Sequence, residues 1–156
     1  SRWNGSSWSA LPAVGSGLVD QGGQALLARQ SGAFVLANDE STLGFGVVRQ
    51  CSIYQWDGSS WTNLGSTQTT GLRECYALAE TASGTLLAAG TGFGGSPVRS
   101  FDGTSWTTFG TTPLAFTIGS MVHQANGSVV VASRLYETPS QVLSTGSASG
   151  PWTSLG

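Results

Sequence analysis

The sequence predicts an all-β fold made of repeated four-stranded antiparallel units. One observation is a tryptophan motif that recurs along the chain: Trp3-Asn4-Gly5-Ser6-Ser7-Trp8, Trp56-Asp57-Gly58-Ser59-Ser60-Trp61, Phe101-Asp102-Gly103-Thr104-Ser105-Trp106, and the worn copy Pro151-Trp152-Thr153-Ser154-Leu155-Gly156. A second is a motif lying between these copies. Leu26 to Ala37, Leu78 to Ala89 and Met121 to Ala132 align without gaps. Each is an apolar run, a Ser-Gly or Asn-Gly turn and a second apolar run, which is a hairpin signal. The third is composition. Of 156 residues 23 are glycine, 9% are charged and 39% are hydrophobic, a balance that suits many turns and short strands.

The final tryptophans of the copies, Trp8, Trp61, Trp106 and Trp152, lie 53, 45 and 46 residues apart. That is the period of a propeller blade. The predicted architecture is therefore a β-propeller segment of about three four-stranded antiparallel blades. Residues 1–12 read as the outer strands of a preceding blade, and 13–65, 66–110 and 111–156 as one blade each. Inner strands A and B of a blade meet at the Ser-Gly or Asn-Gly turn, where glycine accepts positive φ without a Cβ penalty. They are nearly continuous apolar runs, as when both faces are covered. Outer strands C and D meet at the Asp-Gly turn, and strand C alternates, as in Ile53-Tyr54-Gln55-Trp56. Asp57 and Asp102 are expected to bind their own turn amides. The tryptophan of strand D is large enough to fill the space between blades.

This pattern resembles the kelch and galactose-oxidase-type propellers, whose blades also pair an inner apolar hairpin with outer strands carrying an aromatic, an acidic turn and a tryptophan. The resemblance covers essentially the whole chain and implies a fold rather than an activity. Ala37-Asn38, Ala89-Gly90 and Ala132-Ser133 stand where kelch blades carry a diglycine. Propellers close with about four to eight blades, and three would leave bare strand edges. The expectation is an excerpt of a longer propeller; the alternative is a unit that assembles through its blade edges into a homo-oligomer.

Net charge is −2, and all six basic residues are arginine. No basic field exists to attract nucleic acid, and no apolar run is long enough for membrane insertion as a helix. The chain starts at Ser1 without Met, which fits a processed or excerpted start. Cys51 and Cys75 are compatible with one disulfide or with two unpaired thiols. Asn4-Gly5-Ser6 and Asn126-Gly127-Ser128 are glycosylation sequons at Asn4 and Asn126. A low-charge surface rich in Ser, Thr and Gly points to an extracellular or cell-surface protein.

No catalytic set is evident. His123 is the only histidine, and its repeat equivalents are Ala28 and Glu80, so it reads as a variable strand position. One histidine excludes the two-His, two-Tyr copper set of galactose oxidase from this segment, and no metal or other cofactor is expected. Asn38, Asp39 and Glu40 offer oxygens without calcium-loop spacing. Arg73, Arg134, Tyr136 and Glu137 are the nearest ingredients of a sialidase site, with Arg73 at the start of a strand A and the others after a strand B. The B-to-C loops, 38–46, 90–97 and 133–140, vary most and carry Phe45, Phe93 and Tyr136, which suits contact with a protein or carbohydrate ligand. The leading expectation is a non-catalytic extracellular binding or surface structural protein. The alternatives are part of a glycosidase, lyase or copper oxidase with its catalytic residues elsewhere, and a self-assembling structural unit.

Overall fold

Glycine turns shape each repeat into hairpins. In the computed structural model, which describes residues 1–14, 21–41, 49–92, 96–111, 114, 116–134 and 141–155, the inner turns share one geometry. Gly32, Gly84 and Gly127 have φ of 84°, 83° and 88°. Each donates its amide three residues back, to Arg29, Thr81 and Gln124. The outer turns centre on Asp57, whose Oδ1 accepts from the amides of Ser59 and Ser60 at 2.8 Å, and on Asp102, which repeats this with Thr104 and Ser105. Asn4 takes the same part in the first turn.

Four antiparallel sheets result. A two-stranded one pairs β1 (Arg2–Trp3) with β2 (Trp8–Ser9). Sheet 1 runs β3 (Gln21–Ala28), β4 (Phe34–Ser41), β5 (Arg49–Trp56) and β6 (Trp61–Ser66). A four-residue helical turn, α1 (Thr67–Thr70), leads to sheet 2. Sheet 2 contains β7 (Leu72–Glu80), β8 (Leu86–Gly92), β9 (Val98–Phe101) and β10 (Trp106–Thr108). Sheet 3 contains β11 (Ile118–His123), β12 (Val129–Ser133), β13 (Val142–Thr145) and β14 (Thr153–Ser154). In every sheet, strands adjacent in sequence are neighbours in space.

The structure departs from the sequence expectation at strand ends and at one turn. Residues 38–41, expected in a loop, continue β4, because their pairing with β5 extends from Asn38↔Ser52 to Ser41↔Arg49. Residues 90–92 likewise extend β8, with Gly90 opposite Cys75 and Gly92 opposite Leu72. The turn α1 was not expected. The Ser66 amide donates to Thr69 Oγ1 at 2.9 Å, and Gly71, at φ 70°, ends the turn.

Sheet 2 packs between the other two. Along β8, Leu86 and Ala88 turn toward sheet 1, while Leu87 and Ala89 turn toward sheet 3. All four are essentially fully buried, which is strand alternation with both faces covered. One core joins Val35, Ala37 and Ile53 to Leu72, Leu86 and Ala88. The other joins Ala79, Leu87 and Val98 to Ile118, Val129 and Val131. Inner strands carry most of this contact: β7 meets β3, β4 and β5 on one side and β11 on the other.

The outer strands add a recurring lock. Trp3 faces Trp8, Trp56 faces Trp61 and Phe101 faces Trp106 across their hairpins, with ring centroids 5.0–5.5 Å apart. Each later tryptophan also reaches back one unit. Trp106 Nε1 donates to the Leu64 carbonyl at 2.7 Å, and Trp61 Nε1 donates to Pro12 at 3.1 Å. The indole lies where a side chain would otherwise stand: a Cβ on Gly65 would come within 2.5 Å of Trp106 Nε1. Gly110 likewise leaves room for the Trp152 indole, and at φ 85° it also occupies the left-handed region, but Trp152 Nε1 is buried without a hydrogen-bond partner among the described residues.

Gly110→Ala meets both left-handed strain and overlap with Trp152. Gly103→Ala, at φ 103° with open space around it, meets strain alone. Urea titration is expected to show a loss of about 1–2 kcal/mol for Gly103→Ala and a clearly larger one, about 2–5 kcal/mol, for Gly110→Ala.

Candidate functional site

Polar residues gather where β7 begins, against the start of β11 and the end of β12. β7 is bulged there, with register shifts between Leu72 and Glu74 and between Cys75 and Ala77. Bulges re-aim side chains. This one needs glycine opposite, since a Cβ on Gly90 would overlap the Glu74 carbonyl. The Arg134 amide donates to the Thr117 carbonyl at 2.8 Å, fixing the residue beside β11. Gly119 makes room for it: a Cβ there would lie 2.9 Å from that of Arg134.

The exposed Arg134 guanidinium sits 4.3 Å from the centre of the half-buried Tyr76 ring, a cation–π contact. Glu74 Oε2 accepts from Thr91 Oγ1 at 3.0 Å, and Thr91 shares a 3.2 Å hydrogen bond with Thr117 of the sheet 3 side. Asp39, on β4, accepts from the Cys75 amide at 3.3 Å. Sheets 1, 2 and 3 thus all contribute. The Cys51–Cys75 disulfide, with Cα atoms 5.4 Å apart, ties β5 to β7 beside this cluster.

Burial pushes the Tyr76 hydroxyl up to about 12, and its hydrogen bond to Glu74 pushes the same way. The charges of Glu74 and Asp39 add to this, and Arg134 opposes it. Such a phenol is a neutral hydrogen-bond donor, the reverse of an activated nucleophile. The cluster therefore offers a planar cation with fork geometry, hydroxyls and a carboxylate: groups for holding a polar ligand.

The structure places the sequence candidates as follows. Arg134 joins the cluster. Arg73 is exposed on β7 three residues before Tyr76, and among the described residues its side chain makes no hydrogen bond or ion pair. Phe45, Phe93, Tyr136 and Glu137 lie outside the described residues. Asn4 and Asn126 are both exposed, at turns. Cys51 and Cys75 are paired. His123 ends β11 and, with Thr81, Ser83, Phe109 and Ser147, lines a cleft of about 380 Å³ between sheets 2 and 3. Among the described residues no three His, Cys, Asp or Glu side chains group as metal ligands, and no helix is long and apolar enough to cross a membrane.

Tyr76 and Glu74 were missed by sequence reasoning. The one signal available was their i, i+2 spacing at the polar start of β7, which puts alternate residues on one face. Compared with models of known protein families and with curated proteins, the chain matches none.

Two outcomes follow. Replacing both cysteines by serine is expected to lower the unfolding free energy by about 3–4 kcal/mol, the chain-entropy value for a loop of this size, measured by denaturant titration. The second concerns alkaline pH. With Tyr76 raised to about 12, its contribution is whole below about pH 10, where an unfolded tyrosine titrates. It is lost as pH rises toward 12. Stability measured at pH 9, 10 and 11 should fall in the native chain and fall less in Tyr76→Phe.

Proposed function

We propose that this chain is part of a kelch-like β-propeller exposed at or outside the cell surface, and that it binds an acidic carbohydrate without catalysing a reaction. The observation that carries this reading is Arg134 held over Tyr76 beside Glu74 and Thr91. A guanidinium fixed against an aromatic ring keeps its N–H fork available for a carboxylate. The surrounding hydroxyls and the Glu74 carboxylate suit sugar hydroxyl groups.

The propeller reading is supported by the repeat period and by three four-stranded sheets of identical strand order packed in sequence. The extracellular reading draws on the disulfide and on two exposed sequon asparagines.

A panel of acidic and neutral oligosaccharides, titrated by calorimetry, tests this. Acidic members are expected to bind, more weakly as salt rises. Arg134→Ala should cost at least tenfold in affinity and Tyr76→Phe a few-fold, each with a native β-sheet circular dichroism spectrum. Equal binding of neutral and acidic sugars, or an Arg134→Ala variant that binds like the native chain, would overturn the proposal.

A further inference from the structure

The two junctions between sheets are built from the same repeat positions, and at one place only the first junction is filled. Where sheet 1 meets sheet 2, the Arg29 guanidinium donates to Glu80 Oε1 at 2.9 Å, to the Gly84 carbonyl at 2.6 Å and to Gln55 Oε1 at 2.9 Å. The next repeat puts Thr81 in the place of Arg29, Ser100 in that of Gln55, His123 in that of Glu80 and Gly127 in that of Gly84. All four line the cleft of about 380 Å³ between sheets 2 and 3. The cleft therefore stands where a guanidinium sits one junction earlier.

Short side chains leave it open. Threonine does not span what arginine spans, and Thr81 turns back on its own hairpin. Its Oγ1 accepts from the Thr85 amide at 3.0 Å and shares a 2.9 Å hydrogen bond with Ser83. Ser100 shares a 3.1 Å hydrogen bond with Thr107, which leaves its oxygen further capacity. The His123 ring makes no hydrogen bond among the described residues. Gly127, at φ 88°, keeps the turn geometry of Gly84.

The lining sets the chemistry of an occupant. None of the described residues around the cleft is Asp, Glu or Arg, so a charged group entering it would lose water without gaining a counter-charge. Phe109 and Ala148 supply apolar surface, while His123 and Ser100 supply polar atoms. A pyranose ring matches both, with C–H groups on its faces and adjacent hydroxyls at its rim. The volume also suits it, since small-molecule sites run from about 300 to 1,000 Å³. We infer that this cleft is a second binding site, which takes a neutral sugar residue whose hydroxyls pair with His123 and Ser100. It lies beyond the end of β7, at Thr81, whereas the Arg134 cluster lies at the start of that strand. It goes beyond the acidic-carbohydrate reading and does not depend on it.

Amide NMR of the isotope-labelled chain tests the inference, titrated with neutral hexoses, N-acetylglucosamine, their disaccharides and, as a cationic control, methylguanidinium. At least one sugar is expected to shift the amides of Thr81, Ser100, His123 and Gly127 saturably while those of Glu74, Tyr76 and Arg134 stay in place. His123→Ala should weaken that binding at least fivefold, and Arg134→Ala should leave it unchanged. Thr81→Arg combined with His123→Glu rebuilds the ion pair of the first junction inside the cleft. That double variant should lose sugar binding and keep a native β-sheet circular dichroism spectrum. No saturable shift with any sugar, shifts with methylguanidinium alone, or full binding by His123→Ala would overturn the inference. So would sugar binding that disappears with Arg134→Ala, which would assign the sugar to the other cluster.

Discussion

The middle sheet buries both of its faces, and the rest of the fold is arranged around that burial. Leu86 and Ala88 of β8 pack toward sheet 1, Leu87 and Ala89 pack toward sheet 3, and the two flanking sheets hide both sets from water. At roughly 25 cal/mol per Å² of apolar surface, this burial is the main favourable term available to a chain with so few charges. The small residues matter as much as the large ones. Ala77, Ala79, Ala88 and Ala89 keep the inner strands of sheet 2 thin, so neighbouring sheets can approach closely enough to exclude water.

Burial alone does not set how one sheet sits on the next, because apolar contact is non-directional. Directional ties do that. Sheets 1 and 2 are joined near the start of β7 by Cys51–Cys75, and at its far end by Arg29. The Arg29 guanidinium donates to Glu80 Oε1 at 2.9 Å, to the Gly84 carbonyl at 2.6 Å and to Gln55 Oε1 at 2.9 Å. The Gln30 amide completes the shell of Glu80 at 2.7 Å. An ion pair so enclosed gains little net stability over apolar packing, but a misregistered sheet would leave either charge buried and alone. Its value lies in excluding wrong registers. Sheets 2 and 3 use uncharged ties at the same places: Thr91 with Thr117 at one end, and the Gly110 amide donating to the Ala148 carbonyl at 2.7 Å near the other.

The hairpins were legible because their signals are local. A glycine after Ser or Asn, or after Asp, fixes a turn within four residues, and Asp57 and Asp102 bind their own amides as their chemistry dictates. The tryptophan spacing likewise exposed the repeat. What lay beyond reach is set by contacts between repeats. Nothing in the linear sequence tells that Trp106 seeks the Leu64 carbonyl, that Arg29 finds Glu80 fifty-one residues on, or that Arg134 covers Tyr76. The bulges in β7 are also invisible to a period-two reading, and they decide which way Glu74 and Tyr76 point.

The candidate site and the stack share one physical origin. The inner strands of sheet 2 are committed to burial against both neighbours, so distinctive chemistry gathers where strands end and sheets adjoin. At one such junction the chain places Arg134, Tyr76, Glu74 and Asp39; at the opposite junction of the same strands it places Arg29 and Glu80. The second set is closed, since Glu80 accepts from both Arg29 and a backbone amide and its side chain is 6% exposed. The first lies at the surface, with the exposed Arg134 placed over the Tyr76 ring. The same residue types therefore serve two ends: an enclosed pair fixes neighbouring sheets, and a surface cluster faces solvent.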